Sequence, residues 1–131
     1  MFLAMKLGTI IKQMMSDFFY KIKNLKIVSP TKKGSMVILN KINLDIRKGE
    51  ILGLIGETGS GKSMLGLALM DMIPKGCSIT NGSVNHYFDS HKDLSSLRGI
   101  KSTLITQEPM HALNPLQTIG AQFGIVLTKR Y

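Results

Sequence analysis

Apolar and polar positions alternate along residues 18–28 (FFYKIKNLKIV), where aromatic and branched side chains stand between lysines. This period of two residues, with those residue types, predicts a β-strand with one buried face. Residues 36–46 repeat the pattern, since Asn43 and Asp45 lie between isoleucine and leucine. The intervening residues 29–35 contain Pro, Gly and Ser, which are typical of a turn. The fold is therefore expected to begin with two antiparallel strands.

The next segments lose the alternation and become apolar on all sides. After a tight connection at 47–50, residues 51–55 (ILGLI) carry no polar side chain, which is typical of a strand buried on both faces. Residues 62–73 are apolar almost all round and are followed by Pro74, so they predict a buried helix of about three turns. A strand, a glycine-rich loop and a helix in this order indicate an α/β fold with a mixed sheet.

The second half of the chain gives a weaker pattern. Residues 75–83 are polar and rich in Gly and Ser, so they predict a loop. The elements expected after it are a strand at 84–88, a short helix within 89–99, a strand at 100–106, a proline-bounded loop at 107–115 and the start of a helix at 116–128.

Composition agrees with a folded globular chain, because 44% of the residues are apolar and 19% are charged. The net charge is +9, and most of the excess lies in the first 50 residues. Those lysines alternate with apolar residues, as on the solvent face of a strand, so no nucleic-acid partner is expected. The one cysteine, Cys77, excludes an internal disulfide and fits a reducing compartment. No apolar run approaches the ~20 residues that span a bilayer.

The glycine-rich stretch GETGSGKS lies between the apolar run and the predicted helix. Gly56 and Gly61, with four residues between them and Lys and Ser directly after the second glycine, form the P-loop pattern. Glycines let backbone N–H groups turn toward a phosphate, and the following helix adds the positive end of its dipole. Lys62 would bring a cation to the outer phosphates, and the Ser63 hydroxyl would bind Mg²⁺. The predicted phosphate-binding residues are Gly56, Glu57, Thr58, Gly59, Ser60, Gly61, Lys62 and Ser63.

A second candidate, Gln107, directly follows the predicted strand at 100–106. In an open α/β sheet, ligands bind beyond the carboxyl ends of the strands, so Gln107 is expected at the same edge as the phosphate loop. Its carbonyl oxygen is able to bind a metal ion or orient a water molecule. On its own this signal is weak, because a glutamine at a strand end is usually a solvated loop residue.

Both motifs stand in a chain that resembles the ATP-binding subunits of ATP-binding-cassette (ABC) transporters, most closely those that energise oligopeptide, dipeptide and nickel importers. The resemblance runs from about Met15 to Gln122 and covers the amino-terminal half of such a domain. The segments that carry it are IRKGEILGLIGETGSGKSMLGLALMDMIP, ITNGSV, DLSSLRG, LITQEPMHALNP and TIGAQ. The phosphate loop is common to all P-loop proteins, whereas the run from Gln107 to Pro115 is typical of the peptide-importer subgroup.

The resemblance implies a P-loop nucleoside triphosphate hydrolase core that binds ATP and Mg²⁺, with Ser63 and Gln107 as the metal ligands. It implies that the loop 107–115 contacts membrane-spanning transporter subunits and senses the nucleotide. It also implies a second ATP-binding subunit, in a homo- or heterodimer, and a peripheral position on the cytoplasmic face of the plasma (inner) membrane. The expected function is to couple ATP binding and hydrolysis to the import of peptides or related small solutes.

Three departures from the family's pattern bear on activity. Ser29 stands where relatives carry an aromatic residue that stacks on adenine, and Tyr20 or another aromatic is the candidate substitute. Thr106 stands where relatives usually carry phenylalanine. The chain also has no Ser-Gly-Gly run, no apolar run ending in Asp-Glu, and no switch histidine. Neither Glu57 nor Glu108 is placed to act as a base, so no catalytic residue is identified.

Two alternatives stand beside the transporter interpretation. One is a nucleotide-binding remnant that neither hydrolyses ATP nor takes part in transport. The other is a different P-loop enzyme, such as a small-molecule kinase. The Gln107 loop argues against a kinase, which would need an acceptor site and an arginine-bearing lid. The chain has only three arginines, which are Arg47, Arg98 and Arg130.

The expected domain organisation is a partial ABC-type ATP-binding domain over residues 15–131, truncated after the loop 107–115. Residues 1–14 are interpreted as an upstream extension, with Met15 as the initiator in place of Met1. The alternative for this segment is a short amphipathic helix.

Overall fold

The structure is a computed structural model and describes residues 17–87, 93–108 and 112–130. The chain divides into two compact units, residues 1–91 and 92–131, and each is described by itself. The extension expected at residues 1–14 lies outside the described residues, as does the centre of the loop 107–115.

A three-stranded antiparallel sheet forms most of the first unit, with β1 (Phe18–Thr31) between β2 (Gly34–Arg47) and β3 (Ser78–His86). The hairpin of β1 and β2 confirms the first prediction from the sequence. Its turn occupies only Lys32 and Lys33, because the ladder of paired residues continues through the proline and glycine on either side. β1 is thus the central strand and the part of the sheet with most of the buried side chains.

A kink in the middle of β1 fixes how the three strands pair. Asn24 has a φ of 47°, and the register against both neighbours shifts around it. The Asn43 side chain on β2 accepts a hydrogen bond from the Asn24 backbone N–H at 2.9 Å and donates one to the Lys41 carbonyl at 3.1 Å. On the other side, a Cβ added to Gly82 of β3 would overlap the backbone of Lys23 and Asn24. Glycine is therefore required there because β1 passes so close.

β3 corrects the prediction of a loop at 75–83, because the strand already begins at Ser78. Most of its side chains are exposed, so this edge strand needs few apolar residues and lacks the alternation that marks a half-buried strand. Its Asn81-Gly82 pair lies within the strand, opposite the kink of β1. Gly82 is needed because the β1 backbone passes close to it, and not because the chain turns there.

The core of the first unit lies between the sheet and α1 (Lys62–Leu69). Its buried members come from β1, β2 and α1, and they are Ile22, Leu25, Ile27, Leu39, Leu65 and Ala68. The apolar residues that alternate with Asn43 and Asp45 on β2 are half-buried while those two are exposed, as the period of two predicts. This packing holds the start of α1 against β2.

α1 spans eight residues and is shorter than the predicted three turns. Asp71, the residue after the C-cap Met70, adopts a left-handed conformation with φ of 51°. The Met72 N–H donates to the Leu67 carbonyl at 2.8 Å, and the Asp71 N–H donates to the Ala68 carbonyl at 3.1 Å. This is the Schellman pattern, which closes the last turn and ends the helix before Pro74.

The apolar run 51–55 is not a strand, which corrects the predictions of a buried strand and of a mixed sheet. Ile51 and Ile55 are 99% and 98% exposed. An extended segment buries its backbone only where a neighbouring strand supplies hydrogen-bond partners. Within the described ranges the one sheet is antiparallel and this run is not part of it. The fold is therefore α/β with an antiparallel sheet.

The second unit contains the short helix α2 (Leu94–Leu97) and the longer helix α3 (Ile119–Arg130), which confirms the two helices predicted there. The strand predicted at 100–106 is wrong, because its one pairing is an isolated bridge between Arg98 and Ser102. As with residues 51–55, no described strand of this unit pairs with residues 100–106 through backbone hydrogen bonds. None of the helices in the described part of the chain is both long and apolar enough to cross a membrane.

Candidate phosphate-binding site

The predicted phosphate loop, residues 56–61, leads from the exposed run 51–55 into α1. Gly59 and Gly61 have φ values of 85° and 92°, a region that side chains with a Cβ rarely adopt. The Ser60 N–H donates to the Glu57 carbonyl at 3.2 Å and closes a turn within the loop. The glycines of the motif therefore allow the positive φ values that the loop backbone adopts, as the spacing predicts.

Lys62 folds its side chain back over this loop. Its Nζ donates to the Gly56 carbonyl at 2.7 Å and to the Glu57 carbonyl at 2.6 Å, and lies 3.4 Å from the Ser60 Oγ. These contacts hold the ammonium group at the loop rather than in solvent. The cation of the motif is thus already placed where an anion bound by the loop would lie close to it.

Two glycines of the loop have close neighbours at the position of a Cβ. A Cβ on Gly56 would lie 2.9 Å from the Ser60 Oγ. A Cβ on Gly61 would lie 2.6 Å from the Leu39 Cδ2 and 3.1 Å from the Ile38 carbonyl oxygen. Gly61 is therefore the point at which the loop is anchored to β2.

The first turn of α1 offers backbone donors that the helix does not use. The first helical bond runs from the Leu65 N–H to the Gly61 carbonyl at 2.9 Å, so the N–H groups of Lys62, Ser63 and Met64 precede the helical ladder. No acidic side chain lies in this turn, and Gly61 supplies no side-chain cap. The Ser63 side chain is exposed. The first turn itself therefore does not offset the positive end of the helix dipole, which suits an anion.

A cleft of about 310 Å³, here called the β2 cleft, opens beside the loop. It is lined by Leu39, Ile42 and Leu44 of β2, by Leu54 and Ile55 of the exposed run, and by residues of the phosphate loop with Lys62. Most of the residues that line it are apolar.

The aromatic substitute considered for adenine stacking is not available at the surface. Tyr20, near the start of the central strand β1, is 7% exposed, so its ring is covered. Ser29 is half-buried on β1, opposite Met36 of β2. No aromatic side chain lines the β2 cleft. An aromatic platform for a base is therefore not provided by this cleft or by Tyr20.

Gln107 lies in the second unit, exposed, at a bend after the irregular residues 103–106. The neighbouring Thr106 is also exposed, and its hydroxyl donates to the Glu108 carbonyl at 3.3 Å. A polar residue at 106 is thus accommodated at the surface. The expected meeting of Gln107 and Ser63 at one metal ion stays a prediction.

The later part of the loop 107–115 is tied to α3 by a hydrogen-bonded bracket that the sequence reasoning missed. The Gln122 side chain accepts a bond from the Asn114 N–H at 3.0 Å and donates to the carbonyls of Asn114 and Gln117 at 3.1 and 3.0 Å. The Asn114 Oδ1 accepts a bond from the Leu116 N–H at 2.9 Å. This Gln122 bracket makes residues 114–117 a fixed extension of the helix.

A glycine-rich loop with its lysine folded over it, leading directly into a helix, defines the P-loop class of nucleotide-binding proteins. Comparison with protein families agrees, since a model described as "ABC transporter" matches residues 39–126, more than half of the chain. The chain belongs to the ABC transporter family. The resemblance noted from the motifs is thereby confirmed.

Curated relatives give the same result. The oligopeptide transport ATP-binding protein OppD of Escherichia coli (strain K12) is 34% identical over 120 residues, covering 88% of this chain and 35% of that protein. The probable D,D-dipeptide transport ATP-binding protein DdpD of the same strain is 37% identical over 112 residues, covering 81% and 34%. AppD of Bacillus subtilis (strain 168), also named for oligopeptide transport, is 37% identical over 116 residues, covering 82% and 34%. The chain spans about a third of the length of these relatives.

Proposed function

We propose that this chain binds MgATP at the loop 56–63 and is the ATP-binding part of an importer for peptides or related small solutes. The observation that carries the proposal is the loop itself, where the Lys62 ammonium is held on two loop carbonyls and the first turn of α1 has no acidic residue. A phosphate chain at this point would meet a cation and unused backbone N–H groups together. The names of the relatives, which refer to oligopeptide and dipeptide transport, support the transport part.

The proposed Mg²⁺ ligands are the Ser63 hydroxyl and the Gln107 carbonyl oxygen. Both are oxygen donors, which Mg²⁺ prefers, and both side chains are exposed. The ion would neutralise part of the phosphate charge, while Lys62 and the backbone of residues 56–61 would bind and orient the phosphates. ATP hydrolysis would supply the free energy for transport.

The proposed partners are membrane-spanning subunits, bound through the loop 107–115, and a second ATP-binding subunit. This places the chain at the cytoplasmic face of the membrane as a peripheral subunit. The Gln122 bracket supports the first contact, because it gives the later part of the loop a defined shape on which a partner can dock.

The second candidate function is nucleotide binding without hydrolysis or transport. It is favoured by the chain's own residues, since the sequence has no apolar run ending in Asp-Glu and no Ser-Gly-Gly run. Hydrolysis needs a group that orients or deprotonates the attacking water, and neither Glu57 nor Glu108 is proposed for that role. Purified chain should therefore show no ATP turnover above background in a phosphate-release assay. Robust turnover would contradict this and would point to an unrecognised base.

The experiment that tests nucleotide binding is a calorimetric titration of the full chain with ATP in the presence of Mg²⁺. Lys62→Ala removes a charged hydrogen-bond donor, so we expect a loss of about 1.5–3 kcal/mol, or roughly ten- to hundredfold in Kd. The matched control is Lys75→Ala, which removes the same charge from an exposed turn after α1. It should leave the affinity unchanged.

Two outcomes of this titration would refute the proposed site. Equal affinities of the wild-type chain and Lys62→Ala would show that the loop does not hold the phosphates. An equal loss in Lys62→Ala and Lys75→Ala would show that only net charge matters. Circular dichroism of each variant would establish that the fold is retained.

A further inference from the structure

The sheet of the first unit has one face in the core and a second face that carries a row of lysines. Lys21, Lys23 and Lys26 stand between the buried residues of β1 and therefore project from the side opposite the core. The two neighbouring strands add polar side chains to the same side. This surface, here called the basic face, comprises Lys21, Lys23, Lys26, Asn43, Asp45, Asn81, Ser83 and Asn85.

The strand pairing places neutral polar residues beside two of these lysines. Lys23 lies opposite Ser83 of β3. Lys26 lies opposite Asn81 of the same strand. Hydroxyl and amide groups donate hydrogen bonds but carry no charge, so they do not offset the ammonium groups. This part of the basic face therefore presents cations and neutral donors together.

The carboxylate of the basic face belongs to Asp45, whose Oδ2 lies 3.3 Å from the Lys21 Nζ. The same ammonium group lies 4.3 Å from the centroid of the Phe18 ring, and the Arg47 Cζ lies 5.6 Å from that centroid. Asp45 thus offsets the charge of Lys21, whereas no carboxylate of the described residues forms an ion pair with Lys23. The basic face keeps a net positive charge.

Basic charge continues over the whole hairpin of β1 and β2. Residues 18–48 contain one acidic residue, Asp45, against the basic residues Lys21, Lys23, Lys26, Lys32, Lys33, Lys41, Arg47 and Lys48. At the hairpin end, the turn consists of two lysines, and Met36 and Val37 close to it are 56% and 48% exposed. Cations are attracted to anionic lipid headgroups, and exposed apolar side chains gain by entering the lipid interface. Nucleic-acid surfaces more often add aromatic rings, and the basic face has none.

We infer that the basic face binds the anionic headgroups of a phospholipid bilayer directly, so that the chain adsorbs to a membrane without a transporter subunit. The lysines supply the attraction, and the asparagine and serine side chains of β3 donate hydrogen bonds to phosphate oxygens. This contact goes beyond the proposed function, in which the loop 107–115 meets membrane-spanning subunits. It does not depend on nucleotide binding.

The test is vesicle flotation of the full chain, with no nucleotide and no other protein present. Vesicles of phosphatidylcholine with about 30% phosphatidylglycerol are compared with vesicles of phosphatidylcholine alone. Flotation is used because aggregated protein does not float. We expect binding to the anionic vesicles at about 0.05 M salt, and at least about tenfold weaker binding either at about 0.5 M salt or to the neutral vesicles.

A pair of double variants locates the contact. Lys23→Glu with Lys26→Glu reverses two charges of the basic face, and it should weaken binding to anionic vesicles by at least about tenfold. Lys75→Glu with Lys101→Glu changes the net charge by the same amount at two exposed positions outside the sheet. This matched control should weaken binding by about twofold or less. Circular dichroism establishes that both variants are folded.

A second pair should strengthen binding and so does not depend on the loss of a function. Asp45→Asn removes the carboxylate of the basic face and releases the charge of Lys21, so binding should become about three- to fivefold stronger. Asp71→Asn is the matched control, because it makes the same change at an exposed position after α1 and asparagine also tolerates the left-handed conformation there. It should leave binding unchanged.

Several results would overturn the inference. Absence of binding, or equal binding to neutral and anionic vesicles, would show that the chain does not recognise anionic lipid. Equal weakening by the two double variants, or equal effects of Asp45→Asn and Asp71→Asn, would show that net charge acts without the basic face. Tighter binding to a single-stranded oligonucleotide than to anionic vesicles, weakened by Lys23→Glu with Lys26→Glu, would assign the face to nucleic acid. None of these results bears on the phosphate loop, which the ATP titration tests separately.

Discussion

Replacing Gly61 with alanine tests whether the phosphate loop is anchored to the sheet. Gly61 has a φ of 92°, and a Cβ there would lie 2.6 Å from the Leu39 Cδ2 and 3.1 Å from the Ile38 carbonyl oxygen. Leu39 is itself a core residue, 4% exposed. The new methyl group therefore cannot be accommodated by a simple swing of a surface side chain.

Gly59 offers a matched control within the same loop. Its φ of 85° is nearly the same, but a Cβ there would meet no atom within 4 Å. Gly59→Ala should therefore cost only the left-handed conformation, about 1–2 kcal/mol. Gly61→Ala should add the overlap with Leu39, about 1–3 kcal/mol, for a total of about 2–5 kcal/mol.

The free energy of unfolding can be measured by urea titration with tyrosine fluorescence, since the chain has no tryptophan and Tyr20 is buried in the sheet. With a slope of about 2 kcal/mol per molar urea, the midpoint should fall by about 1–2.5 M for Gly61→Ala and by about 0.5–1 M for Gly59→Ala. Equal shifts for the two variants would refute the reasoning. They would show that Leu39 yields at no cost and that the loop is not fixed against β2.

Gln122→Ala should speed hydrogen exchange of the Asn114 amide at least tenfold, because its acceptor is lost, while amides in the middle of α3 keep their protection; loss of protection throughout α3 would contradict this. Gly82→Ala should destabilise the chain by about 1–3 kcal/mol more than Gly49→Ala, since both have positive φ but only Gly82 faces the β1 backbone; equal urea midpoints would contradict it. Gln107→Ala should leave metal-free ATP affinity unchanged and weaken its Mg²⁺ dependence; a tenfold loss without metal would exclude the proposed role.

The phosphate loop could be predicted from the sequence because its requirements are local. Positive φ at two glycines, a helix that begins at Lys62 and a lysine able to reach back two to six residues all follow from adjacent positions. The hairpin of β1 and β2 is likewise local, since the alternation of each strand predicts its buried face.

The predictions of strands at 51–55 and 100–106 were wrong because they relied on apolar content alone. Apolar content indicates that a segment favours burial, but it does not show whether a neighbouring segment is there to cover it. A strand forms only where another segment supplies a ladder, and in the described residues neither run has one. The opposite error occurred at Ser78–His86, where a polar edge strand forms because β1 is available to pair with it. The strands that pair lie far apart in sequence, so the residues of one segment do not show whether a partner strand is available.

The Gln122 bracket shows a different limit. An Asn-Pro pair and a threonine before an apolar run are recognisable as a turn and a helix start. The reach of Gln122 back to Asn114 depends on the path of the chain between them, which no spacing rule describes. The short α1 is similar, because Asp71 rather than Pro74 ends the helix by taking a left-handed conformation usually left to glycine or asparagine.

We expect the uncovered run 51–55 to affect how the protein behaves at high concentration. It has no charge and no proline, and its two terminal isoleucines are almost fully exposed. Short segments of this kind pair with copies of themselves into intermolecular sheets, which natural proteins prevent with a lysine or a proline. We therefore expect the chain to remain monomeric only in dilute solution, and a lysine at position 51 to act as a gatekeeper that delays its precipitation.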